Sequence, residues 1–272
     1  MPMSQLAPAD PPDDPPGKRI AALRAVLSQD KRQGEAGVMP FGVEAMDHRL
    51  AEGGLALGGL HEIAAAAPTL NDDAAATLFT VGIAARAAAR KGRRVLWALT
   101  RFDLYAPGLE QAGLDPATLL FVETRDDSQV LAVMEDALRH GGLAAVVGEV
   151  KRADLVATRR LQLAAMAGDA PALLARHWRR PACCPLMETS TAMTRWRIGC
   201  APSVRLPAPG VGRAHWTVEL ARQRGGPGFT LELEACDSTG HLALPADPAT
   251  LVAPAASRKE AVAAAGATAR AA

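Results

Sequence analysis

Two spacings of apolar residues alternate along the middle of the chain. Apolar positions three and four residues apart predict helices, which fall at 18–33, 43–50, 72–91, 107–112, 127–139 and 154–167. Short apolar runs predict strands, at 59–63, 94–99, 118–123, 143–147 and 172–175. Because parallel strands need a crossover connection, which is usually a helix, this alternation predicts an α/β fold with a mostly parallel sheet flanked by helices.

The pattern changes after residue 176. Apolar and polar residues alternate strictly over 194–200, 215–222 and 229–235, and turn residues separate these runs at 207–212 and 225–228. Strict alternation is typical of strands with two different faces, and short turns join antiparallel neighbours. We therefore expect C-terminal antiparallel strands that extend the parallel sheet.

The two ends of the chain differ from this middle part. Residues 1–17 are rich in proline and acidic residues and are predicted to be disordered, and 18–37 should form an N-terminal helix and linker. One domain is expected over 38–250, followed by an alanine-rich tail at 251–272. The chain contains neither an apolar run of membrane-spanning length nor a secretion signal, which predicts a cytoplasmic protein without a membrane partner.

The net charge of +1 conceals an asymmetry along the chain. Residues 102–150 contain nine acidic and two basic side chains, whereas 176–224 contain nine arginines and two acidic side chains. This separation indicates either two surfaces with different partners or two solvated faces with none. The composition adds little, because 58 of the 272 residues are alanine. The four cysteines show neither a CxxC pair nor metal-ligand spacing, so we expect free thiols and no metal site.

The segment between the first predicted strand and the 72–91 helix is where a phosphate-binding loop would lie. Such a loop needs glycines, a lysine for the phosphates and a hydroxyl for magnesium. The corresponding residues here, which contain neither glycine nor lysine, include Ala64, Ala67, Pro68, Asp72 and Asp73. Pro68 lacks an N–H group, and the two aspartates would repel phosphate while capping the helix. No nucleotide or other cofactor is expected.

Other catalytic patterns are also missing. The six histidines are scattered, no GxSxG sequence occurs, and Gly148-Glu149 follows the 143–147 strand where a magnesium-binding aspartate would stand in an ATPase. Paired carboxylates such as Asp126-Asp127 lie at predicted helix starts, where capping explains them. The sequence therefore predicts a protein that is not an enzyme and has no catalytic residues.

A series of residues before the loop resembles the lead-in to the core of RecA-type recombinases. It consists of Pro40-Phe41-Gly42-Val43, Asp47, Leu50, Gly53-Gly54-Leu55, Gly58-Gly59-Leu60 and Glu62-Ile63. The resemblance covers about residues 38–250 and implies a RecA-like core. The missing lysine, hydroxyl and aspartate imply that the nucleotide chemistry of that fold has been lost.

Further segments resemble the ImuA family of SOS mutagenesis accessory proteins. They are Trp97-Ala98-Leu99, Val146-Val147-Gly148-Glu149, Thr194-Arg195-Trp196-Arg197, Trp216-Thr217-Val218-Glu219-Leu220 and Arg224-Gly225-Gly226. The resemblance implies a role in translesion synthesis with an ImuB-like protein and an error-prone polymerase subunit, with RecA and single-stranded DNA as further candidate partners. Two alternatives are a SulA-like cell-division inhibitor that binds FtsZ and an active RecA-paralogue ATPase.

In RecA-type folds the loop after the strand at 172–176 helps to bind single-stranded DNA. Arginine suits phosphates and tryptophan stacks on bases, so the candidate DNA or partner contacts are Arg176, Trp178, Arg179, Arg180, Arg195 and Arg197. Alternatively the tryptophans pack against the sheet and the arginines are merely solvated. Strand alternation places Arg195 and Arg197 on one face and predicts that Trp196 lies in the core. The basic half or the C-terminal segment is the expected docking site for the ImuB-like protein.

Overall fold

The computed structural model describes residues 37–178, 180–181, 183–203, 210 and 212–245. The predicted disordered start, the predicted helix at 18–33, the tail at 251–272 and Arg179 lie outside these residues. Most of the predicted turn at 207–212 lies outside them as well. The predicted domain boundaries stay a prediction.

The helices and strands follow the order that the apolar pattern predicts. In chain order they are β1 (Val38–Met39), α1 (Glu44–Asp47), β2 (Leu55–Ala56), β3 (Leu60–Ala65), α2 (Leu70–Lys91), β4 (Val95–Leu99), α3 (Ala106–Gln111), β5 (Leu119–Glu123), α4 (Asp127–His140), β6 (Ala145–Val150), α5 (Leu155–Ala167), β7 (Ala172–Arg176), β8 (Thr194–Ala201), β9 (His215–Gln223) and β10 (Phe229–Glu234). The short strands β1 and β2 pair with each other in a small separate sheet.

Eight strands form the main sheet in the order β10-β9-β8-β3-β7-β6-β4-β5. The six strands from β8 to β5 run parallel, and β9 and β10 are each antiparallel to the strand before them. The predicted α/β class with C-terminal antiparallel strands is confirmed. One detail differs, because β8 is parallel to β3 and only its contact with β9 is antiparallel. Because β7 and β8 both run parallel to β3, the connection between them crosses from the carboxyl ends of the strands back to their amino ends.

Local capping explains where the helices begin and end. Thr69 caps α2 by accepting a hydrogen bond from the Asp72 amide, and Gly92 ends this helix in the left-handed conformation at φ 58°. Asp126 and Asp154 cap α4 and α5 through their carboxylates. The expectation that Asp72 and Asp73 cap α2 is therefore wrong, because the helix starts two residues earlier than the apolar pattern suggests.

The central strands β3, β4, β6 and β7 are buried on both faces of the sheet. On the α2 face, Trp196 lies within a cluster of aromatic rings, 5.5 Å from Phe41 and 5.6 Å from Phe79 between ring centres. Trp196 is fully buried, as its position in the strand predicts. The other face is covered by α4 and α5 through a second apolar cluster that includes Leu60 and Leu174. Of the helices described, none is both long enough and apolar enough to cross a bilayer.

Candidate functional site at the carboxyl edge of the parallel strands

A cleft of about 910 Å³ lies at the carboxyl ends of the parallel strands. Its walls come from the start of α2, from 100–109, from 149–151 and from His177-Trp178. Ligands of open α/β sheets bind at this edge, because the loops that follow neighbouring strands converge there. The loop before α2, the end of β6 and the residues after β7 thus meet in one place.

The loop before α2 has the strand–loop–helix arrangement of a phosphate-binding loop, but its own carboxylate occupies it. Asp72 accepts hydrogen bonds from the amides of Ala67, at 3.0 Å, and Cys200, at 2.9 Å. The Asp72 amide itself donates to the Thr69 hydroxyl, and the Thr69 amide donates to the Ala67 carbonyl. The amides of Ala67, Thr69, Asp72 and Cys200 are therefore satisfied within the protein, and a negative charge already stands beside two of them.

A second group of polar side chains lies beside this loop. His177, just after β7, bonds through Nδ1 to Asp73 and through Nε2 to Glu149, both at 3.0 Å. Glu149 also accepts a 2.7 Å hydrogen bond from the indole of Trp97. Burial alone would lower the pKa of His177, but the two carboxylates outweigh it and raise the pKa to about 10. His177 is therefore a cation at neutral pH, held between two anions.

This arrangement limits the chemistry of the cluster. Both ring nitrogens of the protonated His177 donate hydrogen bonds, so neither has a lone pair for a metal ion or for removing a proton from a substrate. Across the described residues, no group of three or more His, Cys, Asp or Glu side chains is placed to hold a metal ion. The two ion pairs of His177 link the start of α2, the end of β6 and the residue after β7 at the cleft.

The sequence did not predict that the members of this cluster lie in contact with one another. Glu149 was expected to follow its strand, but β6 continues to Val150, so Glu149 lies within it. The strand continues past Gly148 because Glu149 and Val150 pair with Ala175 and Arg176 of β7. One feature of the sequence could have predicted the cluster. Asp73, Glu149 and His177 each lie near the carboxyl end of a parallel strand or at the start of the following helix.

Arg176 and Arg195 do not lie where a DNA contact would need them. Both guanidinium groups bind the buried carboxylate of Glu62, Arg176 at 2.8 Å and Arg195 at 2.6 Å. The side chain of Arg176 is fully buried, and that of Arg195 is 8% exposed. Arg176 also binds Glu188 at 2.5 Å. Their charges neutralise a core carboxylate, and this placement corrects the expectation that the two arginines face a phosphate.

The other predicted contact residues divide between the interior and the surface. Arg197 pairs with Glu219 across β8 and β9 at 3.0 Å. Trp178 is half-buried in the wall of the cleft, where its indole donates to the carbonyl of Ala65. Arg180 is exposed, and Arg179 lies outside the described residues. The predicted DNA contacts therefore do not form one surface in this structure.

The same ion pairs alter how much positive charge the basic half, residues 176–224, can present to solvent. Of the seven arginines that the structure describes in 176–224, four form ion pairs, and the acidic partners include Glu62 and Glu234, which lie outside this stretch in the sequence. The excess positive charge counted along the sequence thus overstates the charge presented to solvent. The thiols of Cys183, Cys184, Cys200 and Cys236 are all free, as the sequence predicts.

Comparison with known proteins gives one clear relationship. No family model matches the chain. Two curated proteins of Caulobacter vibrioides, from strain NA1000 / CB15N and strain ATCC 19089 / CIP 103742 / CB 15, are both described as "Protein ImuA". Each is 40% identical to this chain over 194 residues, which is 70% of this chain and 80% of the relative.

Proposed function

The chain belongs to the ImuA family, and from this premise we propose that it is a non-catalytic accessory protein of DNA-damage-induced (SOS) translesion synthesis and mutagenesis. The observation that carries the proposal is the 40% identity to two ImuA proteins over 80% of their length. The protein acts in the cytoplasm through contacts with an ImuB-like protein and an error-prone polymerase subunit, within a RecA-like fold. RecA and single-stranded DNA are further candidate partners.

The proposal that the protein is not an enzyme has its support in the loop before α2. A nucleotide would have to displace the Asp72 carboxylate from the amides of Ala67 and Cys200, and no lysine stands nearby in the loop to replace the lost interactions. Phosphate would also approach Asp73, whose charge is held in place by His177. These features argue against the RecA-paralogue ATPase alternative.

Titration with ATP and magnesium in a calorimeter tests the absence of nucleotide binding. We expect no heat of binding with ATP in the millimolar range, and a matched titration with ADP should behave in the same way. A dissociation constant in the micromolar range for either nucleotide would overturn the non-catalytic part of the proposal, while leaving the accessory role open to its own test.

A deletion strain tests the accessory role. Removing the gene should lower the frequency of damage-induced mutations, and the wild-type gene supplied in trans should restore it. Co-purification of the full chain with the ImuB-like protein and with the polymerase subunit, each expressed separately, tests the proposed contacts. A deletion that leaves damage-induced mutagenesis unchanged would overturn the proposed role, and failure to purify with either protein would overturn the proposed contacts.

A further inference from the structure

The solvent face of α5 carries large apolar side chains. Leu155, Val156, Leu163 and Met166 are 48%, 66%, 58% and 54% exposed, respectively. On a helical wheel of 100° per residue these four positions, together with Arg159, fall within one arc of about 100°. They form a continuous stripe, because residues three and four apart are neighbours on a helix surface.

The buried side of the same helix is unusually poor in large apolar groups. Apart from Leu161, the α5 side chains that face the sheet are Thr158, Gln162, Ala164 and Ala165. A helix of a globular protein normally turns its large apolar residues inward. Packing among the residues that the structure describes therefore does not explain why the large apolar residues of α5 lie outside, and exposed apolar surface of this kind marks interaction sites.

Three cations whose side chains form no ion pair with any described residue border the stripe. Lys151, Arg152 and Arg159 are exposed, and in the part of the chain that the structure describes no carboxylate forms an ion pair with their side chains. Arg160, which lies next to them, is instead held at 2.5 Å by Glu135. The stripe thus combines apolar side chains with three cations that are free to pair with an external partner.

We propose that this surface, the α5 face, docks an acidic amphipathic helix of a partner protein. It comprises Leu155, Val156, Arg159, Leu163 and Met166, with Lys151 and Arg152 at its N-terminal end. From Leu155 to Met166 the stripe spans about 16 Å, or three helical turns. A partner helix with apolar residues at i, i+3 or i+4, and i+7 covers that length, and flanking Asp or Glu side chains reach the cations.

Two other occupants fit the α5 face less well. Single-stranded DNA would pair with the cations, but bases stack on aromatic rings and the four apolar side chains are aliphatic. A second copy of the chain would bury the apolar stripe against itself. A two-fold interface of that kind brings Arg159, near the centre of the stripe, close to Arg159 of the copy, and this contact between like charges opposes the dimer.

The inference rests on the proposed function only for the identity of the partner, because the acidic helix would belong to another protein that acts in mutagenesis. Co-purification and mutation frequency test that role, whereas a defined peptide tests the α5 face alone. A peptide that binds while co-purification fails leaves the α5 face standing without the proposed partners. Co-purification without peptide binding would support the proposed partners and overturn the proposal that the α5 face docks an acidic helix.

The probe is a fluorescein-labelled 20-residue helical peptide with leucines three and four apart and glutamates at the other positions. Its binding to the full chain is followed by fluorescence anisotropy. The double variant Val156→Glu/Leu163→Glu should weaken binding at least about tenfold, because it removes two apolar contacts and adds like charge. Arg159→Ala, which places no charge in the stripe, should weaken binding about threefold to tenfold. The matched control Leu244→Glu alters a 52% exposed leucine outside α5 and outside the cleft, and it should change binding less than twofold.

A peptide with lysines in place of the glutamates should bind at least about tenfold more weakly to the wild-type chain. Four results would overturn the proposal: no binding of the acidic peptide, equal binding by the α5 variants, displacement of the peptide by oligo(dT), or self-association of the wild-type chain that the α5 variants abolish. The third result would assign the α5 face to nucleic acid, and the fourth to a second copy. Unchanged thermal unfolding of the variants would show that they remain folded.

Discussion

Replacing Glu62 by glutamine removes the charge at the centre of a buried ion cluster while keeping the shape of the side chain. Glu62 stands directly opposite Arg195 in the β3–β8 register, and it also binds Arg176 from β7 on its other side. The side chains of Glu62 and Arg176 are completely buried. With glutamine at this position, two guanidinium groups would remain in the sheet interior with no carboxylate between them.

The expected cost follows from that burial. Removing one partner of a buried pair costs about 3–5 kcal/mol, because the remaining charge has lost both its solvent and its counterion. For a domain of this size that loss lowers the unfolding midpoint by about 6–20 °C. Arg176 keeps its contact with Glu188, which is 42% exposed and therefore compensates only in part. Glu219→Gln is the matched control, because the Glu219–Arg197 pair is about one-third exposed. It should cost about 1 kcal/mol or less.

Urea denaturation followed by circular dichroism measures both variants against the wild-type chain, with similar m-values as the check that the same transition is observed. If Glu62→Gln destabilises no more than Glu219→Gln, the reasoning about the buried charge is refuted. A further variant, in which methionine replaces Glu62, Arg176 and Arg195 together, should recover most of the lost stability. The cost in the glutamine variant comes from unpaired charge rather than from lost volume.

Three further predictions concern contacts that the structure brings together. Because the pKa of His177 is raised from 6.5 to about 10 in the folded protein, its stabilising effect should be complete below pH 6.5 and disappear as the pH rises through 10. Thermal unfolding of the wild-type chain and of His177→Gln between pH 6 and 11 measures this, and parallel pH profiles would contradict it. Asp72→Ala should cost about 1–3 kcal/mol in urea denaturation, because two amides lose their acceptor. Asp72→Asn, which keeps one acceptor oxygen, should cost less, and equal losses would contradict this explanation. Gly82→Ala would press a methyl group against the sulfur of Cys236 and should cost about 1–3 kcal/mol. Adding Cys236→Ala should recover part of that loss, and strictly additive effects would disprove the clash.

Much of the fold could be predicted from the sequence because its signals are local. The period of the apolar residues distinguished helices from strands, and the alternation of the two predicted the parallel sheet. Errors arose where a tertiary contact overrode the pattern. β6 extends to Val150 because its last residues pair with β7, and α2 begins at Leu70 because the Thr69 hydroxyl caps it.

The sequence was least informative about the arginines, because counting charges along a chain cannot show which of them meet. Arg176 and Arg195 belong to a stretch with a formal excess of nine arginines over two acids, yet Glu62 neutralises both from 114 and 133 residues away. This pairing depends on β3 lying between β7 and β8. The order of the strands results from the crossover connections rather than from the strands' own apolar pattern.

By itself, therefore, the sequence determined the order of helices and strands, the absence of glycine and lysine from the loop before α2 and the resemblance to the ImuA family. Each of these depends only on which residues follow one another. Only the tertiary structure decided that the Asp72 carboxylate binds the amides of Ala67 and Cys200, that His177 joins Asp73 and Glu149, and that the large apolar residues of α5 face solvent. These features depend on contacts between strands and helices that are distant in the chain, and such contacts exist only once the sheet has formed.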